Sequence, residues 1–372
     1  MEHALIYVIV SIIFSALIAF MLTPVIRVFA FKVKALDVPD TVRHFHLSVT
    51  PRLGGLAIFI SFICNVLLFC NLSPEITGLL LGTVVIVVLG VFDDILTLNA
   101  WVKLAGQLVA AVIPVLFGIR IDFIHLFGHT VDFGVLSIPV TIGWIVLLTN
   151  SVNLIDGLDG LACGVSAISA ITILLCSLIL KQYEIALLMA ILAGSCFGFL
   201  PFNSNPAKIF MGDTGALGLG YVFSVVSIIG LYKFSTSISF IIPILIFGLP
   251  FGDTFSAIFR RLRRGSGIFE GDHEHFHHKL QGQGFSQKQT VIILYAISVV
   301  LGISSILFTM DLWVIALAVL CFSALIGYIN VMVFHSTDVV REQTGLALSY
   351  RRNPYVPPAR KRDKANDDSD KP

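Results

Sequence analysis

The sequence predicts an all-α polytopic membrane protein, a bundle of about eleven transmembrane helices, and three observations carry that expectation. Apolar residues make up 56% of the 372 and charged ones 13%, with a mean hydropathy of +0.93, far from the balance of a water-soluble domain. The apolar residues fall into repeated runs close to the ~20 residues that a ~30 Å hydrocarbon core requires. The charges are gathered between those runs, so their placement is informative where the net charge of +1 is not. Phe occurs 30 times against 3 Trp and 8 Tyr, which suits lipid-facing and helix-packing surfaces and argues against a nucleic-acid partner.

Taken in order, the first run, Ala4 to Thr23, is longer than a signal-peptide core and lacks a small-x-small cleavage site, so it reads as a retained helix. Spans are expected at roughly 4–26, 54–71, 77–92, 101–118, 135–150, 160–180, 184–200, 214–232, 238–258, 289–308 and 311–334. The fifth follows a punctuated stretch around Asp132 that blurs its start. With the N-terminus outside, the odd-numbered connections and the tail hold all the basic residues except Arg120, Lys181 and Lys233, which is 21 of 24, as the positive-inside rule asks. The polar motifs then share the cytoplasmic side, which predicts a cytoplasm-facing active site. The expected organisation is a transmembrane domain over 1–335, with cytoplasmic loops at about 27–53, 93–103, 150–160, 201–215 and 259–288. A tail over 336–372 follows, charged and Pro-containing from Arg351 and expected to be disordered toward its end. The six cysteines all lie in apolar runs without a CxxC pair, so neither disulfides nor zinc are expected.

Ionisable groups at membrane depth cost several kcal/mol and ask for a reason. Asp93 and Asp94 end the third span as VFDD, Asp156 and Asp159 sit in NSVNLIDGLDG, and Asp213 sits in FMGDTGALG. One isolated Asp would be read as a helix cap; three clusters on one side point to chemistry. Carboxylates without Cys or His at soft-metal spacing suit Mg²⁺, with Mn²⁺ as the alternative, and such an ion suggests phosphate chemistry. Candidate cationic partners are Arg43, Arg52, Lys103 and the basic run from Arg260, which includes Arg264. Asn150, Asn153, Asp156 and Asp159 recur every third residue and would form one polar stripe on a helix. His273, His275, His277 and His278 crowd the fifth cytoplasmic connection beside those arginines, a pattern for a loop that folds over an anionic ligand. In DTVRHFHLSVTPRLGG, the residues Arg43, His46 and Arg52 are either a plain membrane-entry loop or a phosphate contact.

Together, RHFHLSVTPRLGG, VFDDILTLNAWVKLAGQ, NSVNLIDGLDGLACG, FNSNPAKIFMGDTGALGLG, PFGDTFSAIFRRLRRG and HEHFHHKL resemble, in order from about Asp37 to Tyr295, the polyprenyl-phosphate N-acetylhexosamine-1-phosphate transferases of glycosyltransferase family 4. The resemblance implies that Asp93 and Asp94 are the paired aspartates associated with the lipid phosphate and proton removal. It implies that Asn153 and Asp213 hold Mg²⁺ and the donor pyrophosphate, with Asp156 beside them, and that Lys103 neutralises phosphate. Asn150, Asp159, Arg43, His46, Arg52 and Arg264 fall among the expected substrate contacts. His275, His277 and His278 resemble the HxHH signature of the WecA and TagO branch, whereas MraY proteins carry an uninterrupted HHH. Asp253 also matches a motif position, and is assigned structure before chemistry.

What the resemblance implies is transfer of GlcNAc-1-phosphate, or a close N-acetylhexosamine-1-phosphate, from the UDP-sugar to undecaprenyl phosphate in the bacterial inner membrane, with release of UMP. The product would start a lipid-linked surface glycan such as an O antigen or a teichoic acid. Family precedent also suggests a homodimer. Rival readings are the same reaction with UDP-GalNAc or UDP-MurNAc-pentapeptide, and, from another class, a proton-coupled transporter. Against the transporter, the carboxylates flank loops rather than lying mid-span, and no paired inverted pattern appears. One-step displacement and an aspartyl-phosphate route both remain open.

Overall fold

The computed structural model describes residues 2–37, 49–126, 129–233, 241–264 and 275–326. Its helices are α1 (Glu2–Lys32), α2 (Gly55–Phe69), α3 (Pro74–Leu96), α4 (Ala100–Leu116), α5 (Ser137–Leu154), α6 (Leu161–Ile179), α7 (Tyr183–Asn203), α8 (Gly212–Lys233), α9 (Ile241–Ile246), α10 (Gly248–Arg264), α11 (Phe276–Gly282), α12 (Gln287–Thr309) and α13 (Trp313–Ile326). Two small antiparallel pairs complete it: β1 (Leu36–Asp37) with β2 (Thr50–Pro51), and the hairpin of β3 (Phe123–Leu126) and β4 (His129–Asp132). A compact unit runs from Met1 to Leu320, and a second begins at Cys321. The expected boundary at 335/336 lies outside the described residues.

Seven of the described helices are long and apolar enough to cross a bilayer, and α2, α4 and α13 are shorter apolar helices. The chain is therefore a multi-pass membrane protein. The ninth expected span, 238–258, is built differently: its described part is split into α9 and α10, and α10 ends in RRLRR rather than in apolar residues. The fifth runs past its expected end to Leu154, and the stretch before it is the β3–β4 hairpin.

Local signals set the helix ends. Ser73 caps α3 by accepting the Ile76 amide at 3.3 Å, with Pro74 in the first turn, where its missing N–H costs nothing. Ser286 and Gln289 form a reciprocal capping box at the start of α12. At the centre, α8 packs against α2, α3 and α5, while α7 packs against α1, α2 and α6. Because lipid is as apolar as leucine, association inside a bilayer relies on close packing and on polar contacts between helices. The latter are present: Ser61 Oγ donates to Ser15 O at 2.7 Å, Trp144 Nε1 to Ser227 Oγ at 2.9 Å, and Tyr221 Oη to Ala110 O at 3.2 Å. The last two ties fix α8, whose first turn carries Asp213, against α5 and α4, the helices that carry Asn153 and Lys103.

Candidate active site

The VFDD motif ends α3, and Thr97 reverses the chain in the left-handed region at φ 53°. Asn99 then caps α4, its side chain accepting from the Trp101 amide at 3.0 Å. The tight return brings Lys103 back beside Asp93. Its Nζ lies 2.7 Å from Asp93 Oδ2 and 2.9 Å from Asp213 Oδ1, and Asp93 Oδ1 accepts the Leu98 amide at 2.8 Å.

Asp94 makes a different set of contacts. One oxygen accepts the Asp213 amide at 2.9 Å; the other accepts the Thr214 amide at 2.9 Å and the Thr214 hydroxyl at 2.6 Å. A carboxylate from α3 thus caps the N-terminus of α8, where unpaired amides and the helix dipole favour negative charge. The arrangement requires Gly212: φ there is +70°, and a Cβ would stand 2.1 Å from Arg52 O and 2.6 Å from the Asp94 carboxylate.

Helix α5 stops at Leu154, so the expected Asn–Asp stripe is not one helical face. Asn150 pairs its amide with Gln107, donating at 2.7 Å and accepting at 3.2 Å. Asn153, one turn on, donates to Asp213 Oδ1 at 2.5 Å. Beyond the helix end the chain turns through Asp156 and Asp159 before α6. Asp159 is buried, and its Oδ2 accepts Asn205 Nδ2 and the Ala207 amide, each at 3.0 Å. It ties the 155–160 turn to the segment leading into α8. Asp156 remains half-buried at the cavity. Burial, then the charges of Asp213 and Asp94, push its carboxyl up to about 8, opposed by Arg52.

The histidines divide by contact. Asp253 of α10 holds His275 Nδ1 at 2.8 Å and accepts the Phe276 amide at 2.9 Å, fixing the first turn of α11. His277 stacks on His275, with ring centroids 5.7 Å apart and planes 5° apart, and packs over Gly157, where a Cβ would meet its Nε2 at 2.4 Å. Burial and then the neighbouring His278 and His275 lower its pKa to about 4, so it is neutral at pH 7. His278 faces the cavity.

That cavity has a volume of about 410 Å³. Asp94, Asn153, Asp156, Asp159, Asp213, Arg52 and His278 line it with Gly157 and Gly212, together with residues that sequence reasoning did not single out: Asp37, Leu158, Asn203, Phe210 and Met211. Asp37 pairs with Arg52 at 2.7 Å across the β1–β2 bridge. No local signal marks Asp37, because its partner lies fifteen residues on. Asn203, within the quoted FNSNPAK stretch, donates to Ile209 O at 3.1 Å and shapes the approach to α8. Asp93 and Lys103 do not line the cavity but brace Asp213. Asn150, His275 and His277 also lie outside the lining. Arg43 and His46 lie outside the described residues, as does the side chain of Arg264.

Among the described residues no three His, Cys, Asp or Glu side chains are grouped as a ready metal cage. Magnesium needs no such cage, because it commonly takes one or two carboxylates and completes its shell with water and substrate phosphates. The all-oxygen donors of Asp213 and Asp156, with the Asn153 amide beside them, fit that chemistry; turning that amide over would present its oxygen.

Residues 76–231 match the family model described as glycosyl transferase family 4. The chain is 40% identical over 309 residues to a probable undecaprenyl-phosphate N-acetylglucosaminyl 1-phosphate transferase of Bacillus subtilis, covering 82% of this chain and 86% of that one. The protein belongs to glycosyl transferase family 4. The chain is also 32% identical over 313 residues to the decaprenyl-phosphate N-acetylglucosaminephosphotransferase of Mycobacterium leprae, covering 76% of this chain and 78% of that one. A phospho-N-acetylmuramoyl-pentapeptide-transferase of Halalkalibacterium halodurans is 31% identical over 327 residues, 82% of this chain and 97% of its own.

Proposed function

We propose that the protein transfers GlcNAc-1-phosphate from UDP-GlcNAc to undecaprenyl phosphate, releasing UMP, at a site facing the cytoplasm in the bacterial inner membrane. The observation that carries this reading is the polar cavity at the ends of apolar helices, where Asp213, Asp156 and Asn153 meet Arg52 and His278. A water-soluble diphosphate donor and a lipid headgroup can meet only at such a boundary. The activity for which the Bacillus relative is named supports the choice of sugar and acceptor. The bias of basic residues toward the same side supports the orientation.

In this reading a phosphate oxygen of the lipid attacks the β-phosphorus of the donor. The bond from that phosphorus to the oxygen bridging it to the α-phosphorus breaks, and UMP leaves with that oxygen. A Mg²⁺ ion held by Asp213 and Asn153 would neutralise the donor pyrophosphate. The remaining task of the protein is positioning and charge compensation. Asp94 fixes the first turn of α8, and Lys103 and Asp93 hold the Asp213 side chain from behind. Arg52, anchored by Asp37, presents a cation to the cavity. Asp156 faces the same space, and its carboxyl, pushed up to about 8, is largely protonated near pH 7 and can donate a hydrogen bond to a phosphate oxygen.

The test is UMP release by the purified protein, reconstituted with undecaprenyl phosphate and Mg²⁺, across UDP-GlcNAc, UDP-GalNAc and UDP-MurNAc-pentapeptide. Turnover with UDP-GlcNAc well above the others is expected. Preference for another donor would replace the sugar assignment, and no UMP from any of the three would remove the reading.

A further inference from the structure

The arginines of α10 were expected at the phosphate site, yet none of its described side chains lines the cavity. The helix is two-faced. Asp253, Thr254 and Ala257 are buried at 1%, 4% and 0% exposure, on the side packed against α5, α9 and α12. Phe255, Phe259 and Leu262, at i, i+4 and i+7, stand 54%, 66% and 60% exposed along a single opposite stripe. The row from Phe255 through Phe259 ends, four residues on, at exposed Arg263. Eight residues at ~1.5 Å each span about 12 Å, close to the ~15 Å of one leaflet's hydrocarbon.

We propose that this face is a docking site for an anionic phospholipid, its acyl chain lying along Phe255, Phe259 and Leu262 and its headgroup phosphate meeting Arg263. An apolar row capped by a cation at one end matches the layout of such a lipid, apolar along its length and negative at its head. In a zwitterionic lipid such as phosphatidylcholine the choline cation offsets the phosphate charge, so the arginine gains far less there. The C-terminal end of a helix also carries partial negative charge, which favours a cation at this position in the free protein.

The experiment measures the Tm of the purified full-length protein in detergent against added phosphatidylglycerol or phosphatidylcholine of the same chain length. A bound lipid raises Tm with its concentration. Phosphatidylglycerol is expected to reach half its effect at a lower concentration than phosphatidylcholine. Arg263→Gln should raise that phosphatidylglycerol half-point about fivefold, the change expected for one cation at a membrane surface, and leave the phosphatidylcholine curve in place. Phe259→Ser should weaken both curves. Superimposed curves for the two lipids, or an unchanged phosphatidylglycerol curve in Arg263→Gln, would overturn the proposal. So would a raised KM for the UDP-sugar in Arg263→Gln with an unchanged lipid response, which would assign the arginine to the donor. Because the readout is thermal, its failure leaves the transferase reading untouched.

Discussion

Three residues hold Asp213 at the cavity: its amide donates to Asp94, and its side chain meets Lys103 and Asn153. Replacing it with Asn keeps the shape and removes the charge that Lys103 neutralises. Asp213→Asn is expected to lower the rate of UMP release by roughly 10²–10³, the range seen when one preorganised electrostatic contact is lost. Added Mg²⁺ should no longer change that rate, as a metal titration of the variant would reveal. Asp94 has a different role, since both of its oxygens accept from the start of α8. Asp94→Ala should cost about 1–2 kcal/mol, as loss of a helix cap does. Asp94→Asn, which retains one acceptor, should recover part of it. Thermal unfolding of both variants checks this, and equal losses would argue against the cap.

At the scale of elements, α11 is held by α10 through Asp253 and rests on the 155–160 turn through His277. His277 carries a pKa of about 4 in the fold, against ~6.5 when unfolded. Above pH 6.5 the ring is neutral in both states and contributes no pH dependence. As pH falls from about 6.5 toward 4 the unfolded chain takes up a proton that the fold refuses, so stability is lost across that window. The Tm of the wild type relative to that of His277→Gln is expected to be constant near pH 7 and to decline between pH 6.5 and 4. The HxHH spacing marked these histidines in the sequence. Their division into one ring on an aspartate, one on a glycine and one at the cavity depends on how α10 and α11 meet, which spacing does not encode.

At the scale of the molecule, the cavity lies at the end of the bundle where α3 finishes and α8 begins, whereas Val135 precedes α5, at the far end of a helix that finishes at the cavity. In a cysteine-free background, Val135→Cys, 95% exposed, should react with an impermeant maleimide added to intact spheroplasts. Ser204→Cys, exposed beside Asn203, should react only once the membrane is opened. The reverse pattern would invert the orientation. Hydropathy, basic-residue placement and six ordered motifs made the membrane class, most helix positions and the acidic clusters legible in the sequence, because solvent preference and capping act locally along the chain. The split of the ninth expected span, the pairing of Asp37 with Arg52, and the assignment of Asp93 and Lys103 to bracing rather than lining were decided only by tertiary structure. Each depends on contacts between segments distant in sequence, where an identical carboxylate can cap a helix, brace a neighbour or face a ligand, according to which backbone it meets.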